Sequence, residues 1–335
     1  MRRFFALLLA AVLALSLLAG CTKSQEDAQQ QTGTSSDVSM AVVVAGTFGD
    51  RSFYDSSKEG ADRLAKDLGV QVKTIECNNV DHTQQIRNAA DAAEIVVLVG
   101  WEFYDVETVA PEYPDVHFIW VDNATSAPVA NVLNITYAQN EGSFLVGYIA
   151  AKMSQTGVVG AVGGEDTDTI NDFIVGYTQG AQYANSSIQV ETVYANTYDD
   201  PAVGKECALT LHEKKADVVF QIASKTGDGV FQAAQEKGFY AIGVDSDQKY
   251  IADDVIICSM MKQVGNSIYE AVSDYISGDT SKWGTTWVAD MATGFIGIGY
   301  GEAGATQQVP DSLKSEVEEL AKKIVSGEIQ VETTR

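Results

Sequence analysis

The sequence predicts an α/β fold in which two doubly wound lobes of parallel strands enclose a cleft. From Met40 onward, short apolar runs rich in Val and Ile alternate with segments of helical period, the pattern of buried parallel strands joined by helices. The runs form two sets of about four strands in roughly 300 residues, a length that favours two domains over one. Since ligands of such folds bind outside the carboxyl ends of the strands, we expect a site in the cleft.

The predicted elements follow one another in chain order. The Val- and Ile-rich runs place strands at 40–46, 71–76, 94–100 and 116–122, and a second set at 158–164, 189–195, 216–223 and 240–245. Apolar residues three and four apart place helices at 52–68, 83–92, 141–154, 168–184, 201–213 and 228–237. An apolar run at 255–260, a helix at 263–277, an apolar run at 293–300 and a helix at 311–326 follow. These late elements predict that the chain crosses between the lobes more than once.

The first twenty-one residues are typical of a bacterial lipoprotein signal. Arg2 and Arg3 precede an apolar run at 4–18 that ends in Leu-Ala-Gly before Cys21. A positive start, an apolar core and small residues before the cut describe a secretory signal, and the Cys makes it a lipidation site. The run is shorter than the roughly 20 residues of a membrane-spanning helix. We therefore expect residues 1–20 to be removed and acylated Cys21 to anchor the protein on the outer face of the cell membrane.

Residues 21–38 hold almost no large apolar side chain and are predicted to form a flexible tether.

The net charge of the chain argues against nucleic acid as a partner. The formal net charge is −24, and loss of Arg2 and Arg3 with the signal leaves 20 basic against 46 acidic residues, a charge of −26. Such a surface repels phosphate backbones, so nucleic-acid binding is not expected.

Cysteine and histidine usage predicts no metal site, no cofactor and no cysteine catalysis. Beyond Cys21 there are only Cys77, Cys207 and Cys258, without a Cys-x-x-Cys motif, and the three histidines form no pair at metal spacing. All three cysteines lie in or at the end of apolar segments, so we expect small buried side chains.

Polar and aromatic residues collect where predicted strands end. Asp50 and Phe53 follow the strand at 40–46, where Asp50 could cap a helix or contact a ligand. Asp245 and Asp247 follow the strand at 240–245, and paired carboxylates there could hold vicinal hydroxyls. The spacing and terminal Glu of a calcium loop are missing, and no glycine-rich phosphate loop is present.

Several motifs in order resemble the basic membrane protein family of substrate-binding lipoproteins, which includes PnrA-like purine nucleoside receptors. They are Gly-Asp-Arg-Ser-Phe at 49–53, Glu-Gly-Ser-Phe-Leu-Val-Gly-Tyr-Ile-Ala-Ala at 141–151, Val-Gly-Ala-Val-Gly-Gly at 159–164, Gly-Val-Asp-Ser-Asp-Gln at 243–248, Ser-Met-Met-Lys at 259–262 and Ser-Gly-Glu-Ile at 326–329. The resemblance runs from about Met40 to the end of the chain.

The resemblance implies a type I periplasmic-binding-protein fold with a multi-crossover hinge. It also implies a monomeric, lipid-anchored receptor that delivers a nucleoside, a purine foremost, to an ABC permease without catalysis. On this basis we expect residues 39–138 with about 262–295 to form the N-terminal lobe. Residues 139–261 with about 296–335 would form the C-terminal lobe.

For the base of the nucleoside, the resemblance implies an aromatic sandwich. The matching positions are Phe53 and Tyr198, and such stacking contributes about 1–3 kcal/mol per base. Asp50 and Asp122 match the positions expected to hydrogen-bond the edge of the base.

For the ribose, the resemblance implies Asp245, the backbone at Gly243 and Lys262 as partners of the hydroxyls. One position departs from the family pattern, because Tyr54 stands where Ser-Phe is usually followed by Asn. Tyr54 therefore enters the candidate site as a changed base contact, and Trp101 as a further aromatic wall.

Three alternatives stay open. The changed aromatic set also suits another planar ligand such as a flavin. The aspartates at strand ends, Asp50, Asp122, Asp245 and Asp247, could act as acid and base in an enzyme that cleaves nucleosides, although no nucleophile motif or metal set accompanies them. A surface sensor would use the same fold and the same binding step.

Overall fold

The computed structural model describes residues 37–77 and 81–334. These described residues form one compact unit. The predicted signal segment, Cys21 and nearly all of the predicted tether lie outside the described residues. Within the described ranges, no helix is both long and apolar enough to cross a membrane.

Two six-stranded sheets form the framework. The strands of the first sheet are β1 (Ser39–Val44), β2 (Gln71–Glu76), β3 (Ile95–Val99), β4 (His117–Val121), β5 (Val132–Tyr137) and β11 (Thr286–Ala289), in the order β11-β5-β4-β3-β1-β2. Those of the second are β6 (Val158–Gly163), β7 (Gln189–Tyr194), β8 (Val218–Ile222), β9 (Tyr240–Asp245), β10 (Ile256–Lys262) and β12 (Ile296–Gly299), in the order β12-β10-β9-β8-β6-β7. All pairings are parallel except the antiparallel pairing of β10 with β12.

Helices connect the strands. They are α1 (Phe53–Leu68), α2 (His82–Ala90), α3 (Val106–Val109), α4 (Gln139–Met153), α5 (Asp168–Ala184), α6 (Pro201–Glu213), α7 (Asp228–Lys237), α8 (Val264–Ile276) and α9 (Asp311–Val325). Local chemistry sets several of their ends. The side chains of Asp81, Thr167 and Asp200 accept backbone N–H groups at the starts of α2, α5 and α6. Gly69 and Gly238 end α1 and α7 at φ of 72° and 77°, a conformation that costs glycine little.

The chain passes between the two sheets three times. It leaves the first sheet after β5, builds β6 to β10 of the second, returns for β11 and crosses again for β12. The predicted α/β class with two parallel sheets is therefore confirmed, and so is the prediction of repeated crossings. Both sheets direct the carboxyl ends of their parallel strands toward one shared cavity, described below.

Two strands were not predicted. β5 has the sequence Val-Leu-Asn-Ile-Thr-Tyr, in which polar residues interrupt the apolar run, and β11 has only four residues. Both pair with each other at one edge of the first sheet. Short or mixed segments of this kind take strand structure because a neighbouring strand offers hydrogen bonds, a tertiary effect that local patterning does not carry.

The buried cysteines agree with the prediction. Cys77, Cys207 and Cys258 are free and buried. Burial raises the pKa of each thiol, which makes the reactive thiolate scarce.

Candidate functional site

One cavity lies where the carboxyl ends of the two sheets meet. Its walls come from the residues that follow β1, β3, β4, β6 and β7 and from the ends of β8, β9 and β10. They are Phe53, Tyr54, Gly100, Trp101, Glu102, Asp122, Thr167, Thr169, Ile170, Phe173, Tyr198, Ile222, Ser224, Val244, Asp245 and Lys262. The empty space, mouth included, is about 640 Å³.

Aromatic rings make up much of the wall. Phe53 and Tyr54 open α1, with ring centroids 5.5 Å apart. Tyr198 lies directly against the backbone of Gly164, where an added Cβ would come within 2.0 Å of the ring, so only glycine leaves room for this ring position. Trp101 is 40% exposed and contacts both cavity and solvent. Flat apolar faces of this kind suit a planar ligand.

A buried ion pair joins the two sheets inside the cavity. Lys262 ends β10, is 1% exposed and donates from Nζ to Asp122 Oδ1 at 2.6 Å. Asp122 directly follows β4 with φ of 77°. The ammonium also lies 5.1 Å from the ring centroid of Phe53 and 5.4 Å from that of Phe173. Asp122 and the two rings thus surround the one cation of the described cavity wall.

Asp245 ends β9 beside this pair. Its Oδ2 accepts a hydrogen bond of 2.6 Å from the hydroxyl of Ser52, which belongs to the loop before α1. Burial raises the pKa of Asp245 to about 6, although the charge of Lys262 and the Ser52 hydrogen bond oppose the rise. At neutral pH the carboxylate is therefore mostly ionised and able to accept further hydrogen bonds.

The Asp50 carboxylate accepts hydrogen bonds mainly from backbone amides of its own chain. Its Oδ1 accepts from the amides of Ser52 and Asp55 (3.1 and 3.0 Å), and its Oδ2 accepts from the amide of Tyr54 at 3.0 Å and the hydroxyl of Ser224 at 2.9 Å. These bonds use the groups at the start of α1 that lack helical partners. Asp50 is 2% exposed and borders an adjoining cavity rather than the main one. Burial raises its pKa.

Glu102 is a third acid of the cavity wall. It follows β3 in the turn Trp101–Phe103 and borders both the main and the adjoining cavity. Within the described part of the chain, its buried Oε2 has no hydrogen-bond partner. Burial, followed by the charges of Glu165 and Asp122, raises its pKa to about 7.

Four contacts join the two sides of the cleft. Arg51 forms an ion pair with Asp228, and its carbonyl accepts from Gln248 Nε2 at 3.1 Å. The bonds Ser52 to Asp245 and Ser224 to Asp50 join the same loop of the first sheet to the second. The loop 45–52 is therefore bonded to two segments across the cleft, 224–228 and 245–248.

Seven of the nine predicted binding residues line the cavity, namely Phe53, Tyr54, Trp101, Asp122, Tyr198, Asp245 and Lys262. Asp50 and Gly243 do not: Asp50 caps a helix, and Gly243 lies inside β9, where an added Cβ would meet Ser259 Oγ at 2.6 Å.

Sequence reasoning missed Ser52, Glu102 and Ser224, together with the wall that the start of α5 provides. Each of these residues follows the carboxyl end of a predicted strand. Ligands of α/β folds bind outside the carboxyl ends of the strands, and this rule, applied to every predicted strand, predicts all of these positions as candidates.

Comparisons with known proteins agree with this architecture. The family model described as ABC transporter substrate-binding protein PnrA-like matches residues 37–335. Basic membrane protein A2 of Borrelia garinii subsp. bavariensis is 31% identical over 87% of each chain, and Basic membrane protein A of Borreliella burgdorferi is 30% identical over 88% of each.

Two solved structures have the same fold. The ABC transporter solute-binding protein from Aeropyrum pernix K1 superposes with a TM-score of 0.80 at 28% identity, covering 89% of this chain and 94% of its own. The corresponding protein from Conexibacter woesei has a TM-score of 0.72 at 25% identity, covering 88% and 99%. With the match of the family model along the whole described region, these likenesses show that the chain belongs to the PnrA-like family of ABC transporter substrate-binding proteins.

Proposed function

We propose that this substrate-binding protein captures a nucleoside, a purine foremost, and presents it to an ABC permease. The observation that carries the proposal is the pairing, in one enclosed cavity, of aromatic rings with the charged group of Asp245, Asp122 and Lys262. Phe53 and Tyr198 offer flat faces for a base. Asp245 and Lys262 offer an acceptor and a donor for the hydroxyls of a ribose.

The charges of the cavity favour a nucleoside over a nucleotide. Three acids, Glu102, Asp122 and Asp245, line it together with the single cation Lys262, which is already bonded to Asp122. A phosphate would bring more negative charge into a wall that has no free cation among the described residues. A neutral polyhydroxyl ligand avoids this repulsion.

The transport cycle that we propose is hinge closure. Residues 39–138 with about 262–295 form one lobe, and residues 139–261 with about 296–335 form the other. The bonds of loop 45–52 to the second sheet stabilise the closed form, and a bound ligand shifts the population toward it. Lipid on Cys21 and the tether at 21–38 hold the monomer on the outer face of the membrane, where the permease receives it.

Thermal unfolding against nucleosides, free bases, flavins and sugars tests the proposal, because a ligand that binds the native state raises its stability. We expect nucleosides to raise the melting temperature. Phe53→Ala should weaken nucleoside binding by roughly 5- to 150-fold, the equivalent of one lost stacking contact. Tyr104→Ala is the matched control, since Tyr104 is 61% exposed and outside the cavity wall. A shift with flavins or sugars alone would contradict the nucleoside assignment.

Binding is also expected to weaken in acid. Because the folded-state pKa of Asp245 is about 6, protonation below that pH removes the acceptor for the ribose, and nucleoside affinity should fall toward about tenfold per pH unit. Glu102, with a pKa of about 7, also loses its charge as the pH falls and adds to the decline. Calorimetric titrations at pH 6 and pH 5 check the expectation, and Asp245→Asn should bind weakly at both with a smaller difference. An equal decline in both proteins would show that another group titrates.

A further inference from the structure

Glu102 is a partly buried acid whose buried Oε2 has no hydrogen-bond partner among the described residues. Its Oε2 packs over Gly100, where an added Cβ would come within 2.4 Å of this oxygen, so the glycine leaves the space that the carboxyl occupies. No described protein group donates to that oxygen. A buried hydrogen-bond acceptor without a partner destabilises the protein. A bound ligand that donates a hydrogen bond to this acceptor removes the destabilisation.

Among the described residues, the surroundings of Glu102 offer no free cation. Tyr54, Tyr198, Asp122 and Glu165 interact with it electrostatically. Of the two lysines that border the main and adjoining cavities, Lys262 is bonded to Asp122 and Lys225 to Asp199 at 2.6 Å. The carboxyl is therefore kept as an acceptor for a donor that comes from outside the protein.

The position of Glu102 matches the edge of a stacked base. Tyr54 and Tyr198 border the same two cavities as Glu102, and of these two cavities Asp245 borders only the main one. A base held by these rings, with its ribose toward Asp245, would direct its far edge toward Glu102. The Watson–Crick edge of guanine presents N1–H and the 2-amino group side by side, hypoxanthine presents N1–H, and adenine presents the bare acceptor N1 at the corresponding position.

We propose that Glu102 is the residue that selects guanosine and inosine over adenosine, by accepting the N–H donors of the base edge. The inference rests on the proposed nucleoside function and deepens it. A site built to accept a donor rejects the analogue that lacks it, because its own buried polar group would stay unpaired.

Calorimetric titration of the full-length chain with guanosine, inosine, adenosine and cytidine at pH 8 tests the proposal. Most of the carboxyl is ionised at this pH, since its pKa is about 7. We expect guanosine and inosine to bind at least about tenfold more tightly than adenosine. Glu102→Gln should reduce this preference to less than about threefold, because the amide replaces a charged acceptor and adds a donor that adenine N1 can accept. Adenosine affinity should hold or rise.

Glu165→Gln is the matched control, because it removes a nearby negative charge from a residue outside the cavity wall. It should leave the guanosine-to-adenosine ratio unchanged, and thermal unfolding of each variant without ligand verifies that it is folded. If the wild type binds nucleosides but Glu102→Gln leaves the ratio as it was, the Glu102 proposal alone is overturned. If the wild type binds no nucleoside, both proposals are overturned.

Discussion

Replacing Lys262 by Met is expected to weaken nucleoside binding by more than about 100-fold, the consequence of leaving a buried carboxylate without its partner, which costs about 3–5 kcal/mol. The Lys262 ammonium is bonded to Asp122 and stabilises the ionised form of Asp245. Without it, two carboxylates face each other in a closed cavity. Opening the cleft would hydrate both, so the variant should stay folded but favour the open form.

Isothermal titration with a nucleoside measures the effect of Lys262→Met. Lys152→Met provides the control, since Lys152 forms an exposed ion pair with Glu316 away from the cavity. Small-angle scattering should show a larger radius of gyration for the Lys262 variant than for the control. A change in affinity below about threefold, within the effect of an ordinary surface ion pair, would mean that Lys262 has no part in binding.

Replacing Gly180 by Ala is expected to destabilise the fold by at least about 3 kcal/mol, through forced separation of two closely packed helices. An added Cβ at Gly180 would lie 1.8 Å from the carbonyl oxygen of Phe144, and one at Gly176 would lie 2.2 Å from that of Asn140. Helices α4 and α5 therefore pack backbone against backbone. Helix propensity alone would predict that Gly180→Ala stabilises the protein, because Ala is favoured over Gly in a helix by about 1 kcal/mol.

Urea unfolding compares Gly180→Ala with Gly297→Ala, where an added Cβ meets nothing within 4 Å. The control should differ from the wild type by less than about 1 kcal/mol, as for most uncrowded positions. Since the first two turns of α5 carry Thr169, Ile170 and Phe173 of the cavity wall, Gly180→Ala should also weaken ligand binding. Equal stability of the two variants would mean that the helices can separate without loss.

Most of the fold could be predicted because its central strands are dense in apolar residues. β3, for example, is Ile-Val-Val-Leu-Val and entirely buried, a run whose length and β-branched residues indicate a strand. β11, the four-residue segment Thr-Trp-Val-Ala, has only Ala289 buried. Its strand structure depends on pairing with β5 about 150 residues earlier in the chain, which no local pattern reveals.

The site could be predicted less completely, because loop geometry decides what a carboxylate does. Asp50 and Glu102 both follow central strands of the first sheet, yet Asp50 turns toward the amides that begin α1 and Glu102 has a free oxygen. Asp122 and Asp245 lie at φ of 77° and 63°, left-handed conformations that sequence rarely specifies for Asp. The backbone conformation at each position, and not residue type alone, decides whether a carboxylate bonds to the protein itself or faces the cavity.

The central claim, that the chain binds a nucleoside without altering it, is tested most directly by titrating the full-length chain with guanosine and recovering the ligand. We expect saturable binding at one site per chain and recovery of intact guanosine. Recovery of free base and ribose would show that the protein is an enzyme that cleaves nucleosides. If no nucleoside bound, the proposed nucleoside-binding function would be contradicted.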